Sequence, residues 1–317
     1  MKSLTDSQLK QNIEWLLNHF DREPSPANVA YSYKRICDRF GGAVADWLHE
    51  TTSRSSYFFR ARKTTDVSEV EKHLPQSFSY PPRNCVSQGR ANIAKHPVFY
   101  VADMPLEAII ETDKNYLTKS FYVACWRHDD SIKYTTYLYH PNGTGKRING
   151  KFQEAYQTIK EKYPQHSQEA HRRMHELLKS ISLLYLNDNH HLSSIISHHK
   201  LYNLKSIDGI AYAGVRSLQG INFAFRTDVA DKMIIERMFK YSFENDRSVI
   251  EEIGEYNGSK IIWGKPVESD CSWNPDGLLN LDKEYIPGIR PDLPTYKANA
   301  LGRQKAPLVP RSAFCCR

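Results

Sequence analysis

GRANIAKHPVFYVADMPLEAIIET, residues 89–112, is the stretch in which the sequence passes from loop to strand to helix. It begins with Gly89 and Arg90 in a polar segment and continues through the apolar run VFYV at 98–101, which is typical of a buried strand. The following Asp-Met-Pro turns the chain into a helix that ends near Glu111. An arginine before a strand and a carboxylate on the next helix can hold an anionic ligand beside an acid.

Apolar periodicity predicts strands and helices on both sides of this stretch. Helices are predicted at 5–20, at 29–40, at 152–185 with a break at Pro164, and at 229–241. Strands are predicted at 57–62, 121–126, 134–139, 207–212 and 221–225, and Asn257-Gly258 predicts a hairpin turn. This mixture indicates an α/β fold of the α+β kind.

The composition divides the chain into three parts. Residues 1–53 form a helical extension, residues 54–286 form the main domain, and residues 287–317 form a basic, proline-containing tail that is expected to be disordered or to form an extended arm. The tail contains LVPRS, which resembles a protease site of expression vectors, so its last residues are candidates for a vector-derived end. The extension either packs on the main domain or forms a lobe that binds a partner.

The net charge of +7 does not indicate a nucleic-acid-binding protein, because residues 287–317 alone carry +5. Direct binding to nucleic acid is therefore not expected. No apolar run approaches the roughly 18–20 residues that span a bilayer, and the first residues lack the apolar segment of a signal peptide. We expect a cytoplasmic protein without membrane association, whose six cysteines, none in a C-x-x-C pair, stay reduced.

Common site motifs are incomplete in this sequence. The GTGK segment at 143–146 does not form a phosphate-binding P-loop, because His140 and Arg147 stand where that motif needs glycine and Ser or Thr. His171 and His175 have helical zinc-ligand spacing, but Arg172 replaces the glutamate and opposes a cation. A G-x-S-x-G motif for acyl transfer is absent from the sequence. No metal site is predicted.

Arginines near strands and one carboxylate remain as candidates. Arg60 and Arg62 end a predicted strand on one face, and Arg90, Tyr100 and Glu111 follow in the opening stretch. Guanidinium groups suit pyrophosphate oxygens, an aromatic face can stack on a base, and a buried glutamate can stabilise the positive charge of a breaking glycosidic bond. Surface ion pairs and an ordinary helical glutamate are the alternative interpretation.

The order of these residues resembles the RES-domain family, which is named for an arginine, a glutamate and a serine. The family pattern is an aromatic-Arg strand, G-R-x-N, P-x-x-Y-hydrophobic-A, A-x-x-E, D-G-I-x-Y-x-S-x-R and G-x-N-x-A. Over residues 57–240 the chain has FR at 59–60, GRAN at 89–92, PVFYVA at 97–102, AIIE at 108–111, DGIAYAGVR at 208–216 and GINFA at 220–224.

The resemblance implies a compact α/β domain similar to ADP-ribosyltransferase toxins, with NAD⁺ as substrate and no metal. It implies a toxin of a toxin–antitoxin pair that degrades NAD⁺ by hydrolysis or phosphorolysis, or that transfers ADP-ribose to a protein. The implied partner is a cognate antitoxin with a helix-turn-helix part, which occludes the site. A catalytically silent nucleotide-binding or interaction module stays open as an alternative, as does a homodimer.

By position in the motifs, the resemblance makes Arg60 and Glu111 catalytic. The motif serine falls at Gly214, so Ser217, three residues later, is the candidate replacement, and the backbone N–H of Gly214 is the other candidate. The residues that the resemblance assigns to NAD⁺ binding are Arg62, Arg90, Asn92, Tyr100, Tyr212, Gly214, Arg216 and Asn222.

Overall fold

The computed structural model describes residues 6–19, 24–39, 50–51, 56–141, 146–216, 220–244, 247–266 and 270–271. These residues form a mixed α/β fold. The helices are α1 Asp6–His19, α2 Val29–Arg39, α3 Pro105–Thr112, α4 Lys146–Lys162, α5 Gln168–Leu186, α6 His191–His198 and α7 Thr227–Ala230. The strands are β1 Glu50–Thr51, β2 Ser56–Lys63, β3 Phe99–Ala102, β4 Phe121–His128, β5 Lys133–Tyr137, β6 Gly209–Ala213, β7 Ile221–Phe225, β8 Ile234–Glu244, β9 Arg247–Tyr256, β10 Ile261–Pro266 and β11 Asp270–Cys271.

The described strands form one sheet in the order β1-β5-β6-β7-β3-β2-β4-β8-β9-β10, and β11 pairs with β9. β5 and β6 are parallel, and the chain between them contains α4, α5 and α6, because a parallel pair needs a crossover connection. The other pairs are antiparallel, and β8, β9 and β10 follow one another as a meander. The strands that carry the candidate residues therefore lie in the middle of the sheet.

Backbone pairing between β2 and β3 is shorter than the pairing between β2 and β4. β2 pairs with β4 along its whole length, whereas the described ladder between β2 and β3 has one pair, Phe59 with Ala102. Arg60 Nη1 donates to the carbonyl oxygen of Tyr100 across this opening, at 2.8 Å. Thr112 Oγ1, at the end of α3, lies 3.3 Å from the carbonyl oxygen of Ala61. A side chain from β2 and a helix after β3 thus supply contacts that a regular ladder would make.

Alternation along the central strands separates two faces. Phe99, Phe223 and Phe225 belong to one buried cluster, which includes residues of α4. Ala224 and Tyr212 belong to a second cluster on the opposite face, under α5 and α6. Residues of α3 form a third buried cluster with residues of β2, β3 and β4.

The first two helices share a core with the sheet. Leu16 of α1 and Val29 and Ile36 of α2 are fully buried, and they belong to the cluster that contains Ile210 and Tyr212. These two helices therefore pack on the sheet of the main domain. The predicted tail at 287–317 lies outside the residues that the structure describes.

The predicted strands in the main domain are confirmed, as are the two helices separated at Pro164 and the hairpin turn, where Gly258 has a φ of 94°. The helix predicted at 229–241 is wrong, because β8 begins at Ile234 and pairs with both β4 and β9. β-branched and aromatic side chains in this segment favour the strand once neighbours flank it. No helix in the described ranges is both long and apolar enough to cross a membrane.

Candidate functional site

Glu111 lies in the last turn of α3, at the carboxyl end of β6. Its Oε1 atom accepts hydrogen bonds from the backbone N–H groups of Val215, at 2.7 Å, and Arg216, at 2.9 Å. Arg216 Nη1 donates to the carbonyl oxygen of Glu111 at 2.7 Å, which satisfies a free carbonyl at the helix end. Both of these donors bind Oε1, and no described residue donates a hydrogen bond to Oε2. The second oxygen of this fixed carboxylate can therefore bind a ligand.

Tyr212 and Asn222 lie opposite each other on β6 and β7, and their side chains share the face that α3 and α5 cover. Tyr212 is 4% exposed and Asn222 is 6% exposed. On the other side of β7, Ala102 of β3 pairs with Asn222.

Electrostatics connect Tyr212 to Glu111. Burial raises the pKa of Tyr212 well above its usual value, and the Tyr100 hydroxyl and the Glu111 carboxylate raise it further, while Arg90 opposes them. The Tyr212 phenol therefore stays protonated at neutral pH and can donate a hydrogen bond. We call Glu111, Tyr212 and Asn222 the polar trio.

Tyr100 and Asn92 build the loop before β3. The Tyr100 hydroxyl accepts from the N–H of Ala91 and donates to Asn92 Oδ1, both at 2.8 Å. Asn92 Nδ2 donates to the carbonyl oxygens of Ser87, at 2.8 Å, and Ile93, at 3.0 Å. A Cβ on Gly89 would lie 2.7 Å from Asn92 Oδ1, so glycine is needed for this close approach. These polar groups stabilise the loop in the structure.

Arg90 binds the turn between α5 and α6. Its Nη1 atom donates to the carbonyl oxygen of Asn187 at 2.8 Å and lies 3.1 Å from His190 Nδ1, and its Nη2 atom lies 3.7 Å from Asp188 Oδ1. Burial, and then Arg90, lower the pKa of His190. His190 Nδ1 also lies 3.1 Å from the carbonyl oxygen of Asn187, so it either accepts from Arg90 or donates to that carbonyl, depending on the tautomer. Neither His190 nor the turn was among the predicted site residues.

The other two arginines lie away from the polar trio. Arg60 shares a face of the sheet with Phe58, and its guanidinium carbon lies 5.7 Å from the centre of the Phe99 ring. Burial, and then the charge of Arg62, lower the pKa of Arg60 to about 10, so it remains charged at neutral pH. Arg62 donates to the carbonyl oxygens of Ser77, at 2.9 Å, and Asp66, at 2.7 Å. Both arginines stabilise main-chain segments beside β2.

Gly214 occupies the position at which the family resemblance expects serine. It is buried, and its N–H donates to the carbonyl oxygen of Gly220 at 2.9 Å, which closes the connection between β6 and β7. This N–H is therefore used within the fold. Ser217 lies outside the described residues.

The structure thus brings three of the predicted residues together as a polar trio, with Arg216, Tyr100 and Arg90 around it. A fixed carboxylate, a phenol donor and an amide suit a ligand with hydroxyl groups and a centre that becomes positive. Sequence interpretation missed Glu107, which is 2% exposed and lies one helical turn before Glu111. Its spacing of four residues from Glu111 was the available signal.

No group of three or more His, Cys, Asp or Glu side chains in the described ranges is arranged to hold a metal ion. No family model matches the chain, and no curated protein or solved structure matches it either.

Proposed function

We propose that this protein cleaves the nicotinamide–ribose bond of NAD⁺, by hydrolysis or phosphorolysis. The observation that carries the proposal is the polar trio, in which two backbone N–H groups hold Glu111 at the end of β6, and Tyr212 lies opposite Asn222 on β6 and β7. A carboxylate, a phenol and an amide together supply both acceptors and donors for a ligand that carries hydroxyl groups. The ordered motifs that resemble the RES-domain family support NAD⁺ as that ligand.

The proposed chemistry assigns one role to each residue of the trio. As the bond between the ribose C1′ and the nicotinamide nitrogen breaks, its electron pair leaves with nicotinamide and positive charge develops on the ribose. Glu111 Oε2 opposes that charge, because the two N–H groups on Oε1 fix the carboxylate before reaction. Tyr212 and Asn222 hydrogen-bond the ribose hydroxyls. Water or phosphate then attacks C1′ and loses its proton to solvent or to Glu111.

The proposal includes a biological role and a partner. Loss of NAD⁺ arrests a cell, so we propose a toxin or cell-arresting effector that acts in the cytoplasm, where its substrate is available. A cognate antitoxin that occludes the site is the proposed partner. The support for both is the family resemblance.

A second candidate is a catalytically silent module that binds nucleotide or a protein. Gly214 favours it, because glycine has no hydroxyl to hold a ribose or phosphate oxygen at the motif position, and its N–H is already paired with Gly220. Transfer of ADP-ribose to a protein is a third candidate, which the same experiment separates.

The test is nicotinamide release from NAD⁺ by the purified full chain, with and without phosphate. Release should occur and should fall by about 100-fold or more in Glu111→Gln, which keeps the shape and removes the charge. Glu154→Gln, at an exposed position of α4, is the matched control and should keep wild-type activity. Absence of release by the wild type under both conditions would refute cleavage. NAD⁺ binding without consumption in calorimetry would then identify the silent module, and label on a protein band would identify transfer.

A further inference from the structure

Two glutamates on α3 contact the two sides of the connection between β6 and β7. Glu107 and Glu111 are four residues apart and therefore lie on the same side of the helix. Glu111 binds the N–H groups of Val215 and Arg216, on the side that leaves β6. The Glu107 carboxyl group lies directly against Gly220, on the side that enters β7, where a Cβ would overlap Cγ, Cδ and Oε2 of Glu107.

The two sides of this connection are joined to each other. The N–H of Gly214 donates to the carbonyl oxygen of Gly220 at 2.9 Å. Asp103, just before α3, exchanges hydrogen bonds with Ile221: its N–H donates to the Ile221 carbonyl at 3.0 Å, and its Oδ1 accepts from the Ile221 N–H at 3.1 Å. The position of Gly220 therefore fixes the position of the N–H groups that hold Glu111.

The charge of Glu107 is better tolerated than its burial alone would indicate. Glu107 is the third residue of α3, and the positive end of the helix dipole lies in that first turn. A carboxylate can therefore occupy this buried place and pack against a glycine backbone, which offers no side chain to displace it.

We propose that Glu107 is a positioning residue, which holds the described ends of the β6–β7 connection so that the N–H groups of Val215 and Arg216 keep the Glu111 carboxylate in place. Its catalytic consequence rests on the proposed function, but the structural role does not. Glu107 acts through Gly220 and the backbone, and it does not touch the substrate.

Amide hydrogen exchange of the full chain tests the structural role. In Glu107→Ala, the Val215 and Arg216 amides should exchange about tenfold faster or more, because they lose a steady charged acceptor, while the Val123 amide in β4 should be unchanged. Gly220→Ala should have the same local effect, because the added Cβ displaces the Glu107 carboxyl. Glu107→Gln, which keeps the shape, should restore most of the protection. Glu111→Ala is the positive control.

Two exchange results would overturn the proposal: wild-type protection of Val215 and Arg216 in Glu107→Ala, or equal acceleration of these amides and Val123, which would indicate general destabilisation. Nicotinamide release supplies the catalytic readout. Glu107→Ala should lower kcat by about tenfold and leave KM for NAD⁺ unchanged, since the group acts on the carboxylate and not on binding. If the wild type releases no nicotinamide, the proposed function fails, and the exchange result still decides the role of Glu107.

Discussion

His198 should make the folded protein lose stability as the pH falls from 7 to 5. Its side chain, on α6, is 2% exposed, and its buried Nδ1 atom has no hydrogen-bond partner among the described residues. The ring centre lies 4.8 Å from that of His96 and 5.1 Å from that of Tyr202. Burial, with smaller contributions from His96 and His199, lowers the pKa of His198 to about 4.

The sign follows from the protons bound in each state. An unfolded histidine has a pKa of about 6.5. Between this pH and about pH 4, His198 is therefore protonated in the unfolded chain and neutral in the folded protein. Stability therefore falls as the pH drops through this window. For these two pKa values, the loss between pH 7 and pH 5 is about 2 kcal/mol, and the full loss below pH 4 is about 3 kcal/mol.

Urea unfolding at pH 7 and pH 5 measures this loss. Staying above pH 5 limits the contribution of carboxylates such as Asp113 and Asp228, whose pKa values neighbouring cations lower. His198→Phe should remove about 2 kcal/mol of the pH-dependent difference. Part of the difference should remain, because burial also lowers the pKa values of His96, His140 and His190. His166→Asn, at an exposed position, should retain the full difference. A His198→Phe protein that loses as much stability as the wild type would refute the argument.

Three further predictions concern stability, and urea unfolding measures each. Gly209→Ala should cost about 1–3 kcal/mol, because the added Cβ overlaps the Phe225 ring; a neutral result would contradict the close packing of β6 on β7. Tyr185→Phe should cost about 1 kcal/mol by breaking its 2.8 Å hydrogen bond to Ser197, and a Ser197→Ala background should remove that cost. Leu16→Ala should cost about 2–5 kcal/mol, since Leu16 is fully buried; a loss below 1 kcal/mol would show that α1 does not share the core.

Local sequence pattern predicted most of the strands, and it did so for a physical reason. β3 and β7 are short runs buried on both sides, so they appear in the sequence as continuous apolar segments bounded by polar ones. The same signal fails for β8, where apolar residues at 233–235 and 238–239 fit a helical spacing as well as a strand. Only its pairing with β4 and β9 selects the extended form.

The arginines show what the sequence could not supply. Each was expected to face an anionic ligand, yet each guanidinium donates to a main-chain carbonyl: Arg60 to Tyr100, Arg62 to Ser77 and Arg90 to Asn187. Arg90 and Asn187 are 97 positions apart in the chain. Because every residue has a backbone carbonyl, the sequence cannot identify which one accepts from an arginine. Glu107 was missed for a related reason, since its neighbour Gly220 has no side chain to indicate a contact.

Unpaired buried polar atoms alone would not identify the site. Trp126 Nε1 and His128 Nε2, both on β4, are buried without a hydrogen-bond partner among the described residues, and Glu236 Oε2 on the neighbouring strand β8 is another such atom. Tyr212 and Asn222 differ because they lie opposite each other on two strands, and Tyr212 is close enough to a carboxylate held by two N–H groups for that charge to raise its pKa. The inference therefore depends on convergence, and separate loss of NAD⁺ affinity in Tyr212→Phe and Asn222→Ala is what a shared ligand requires.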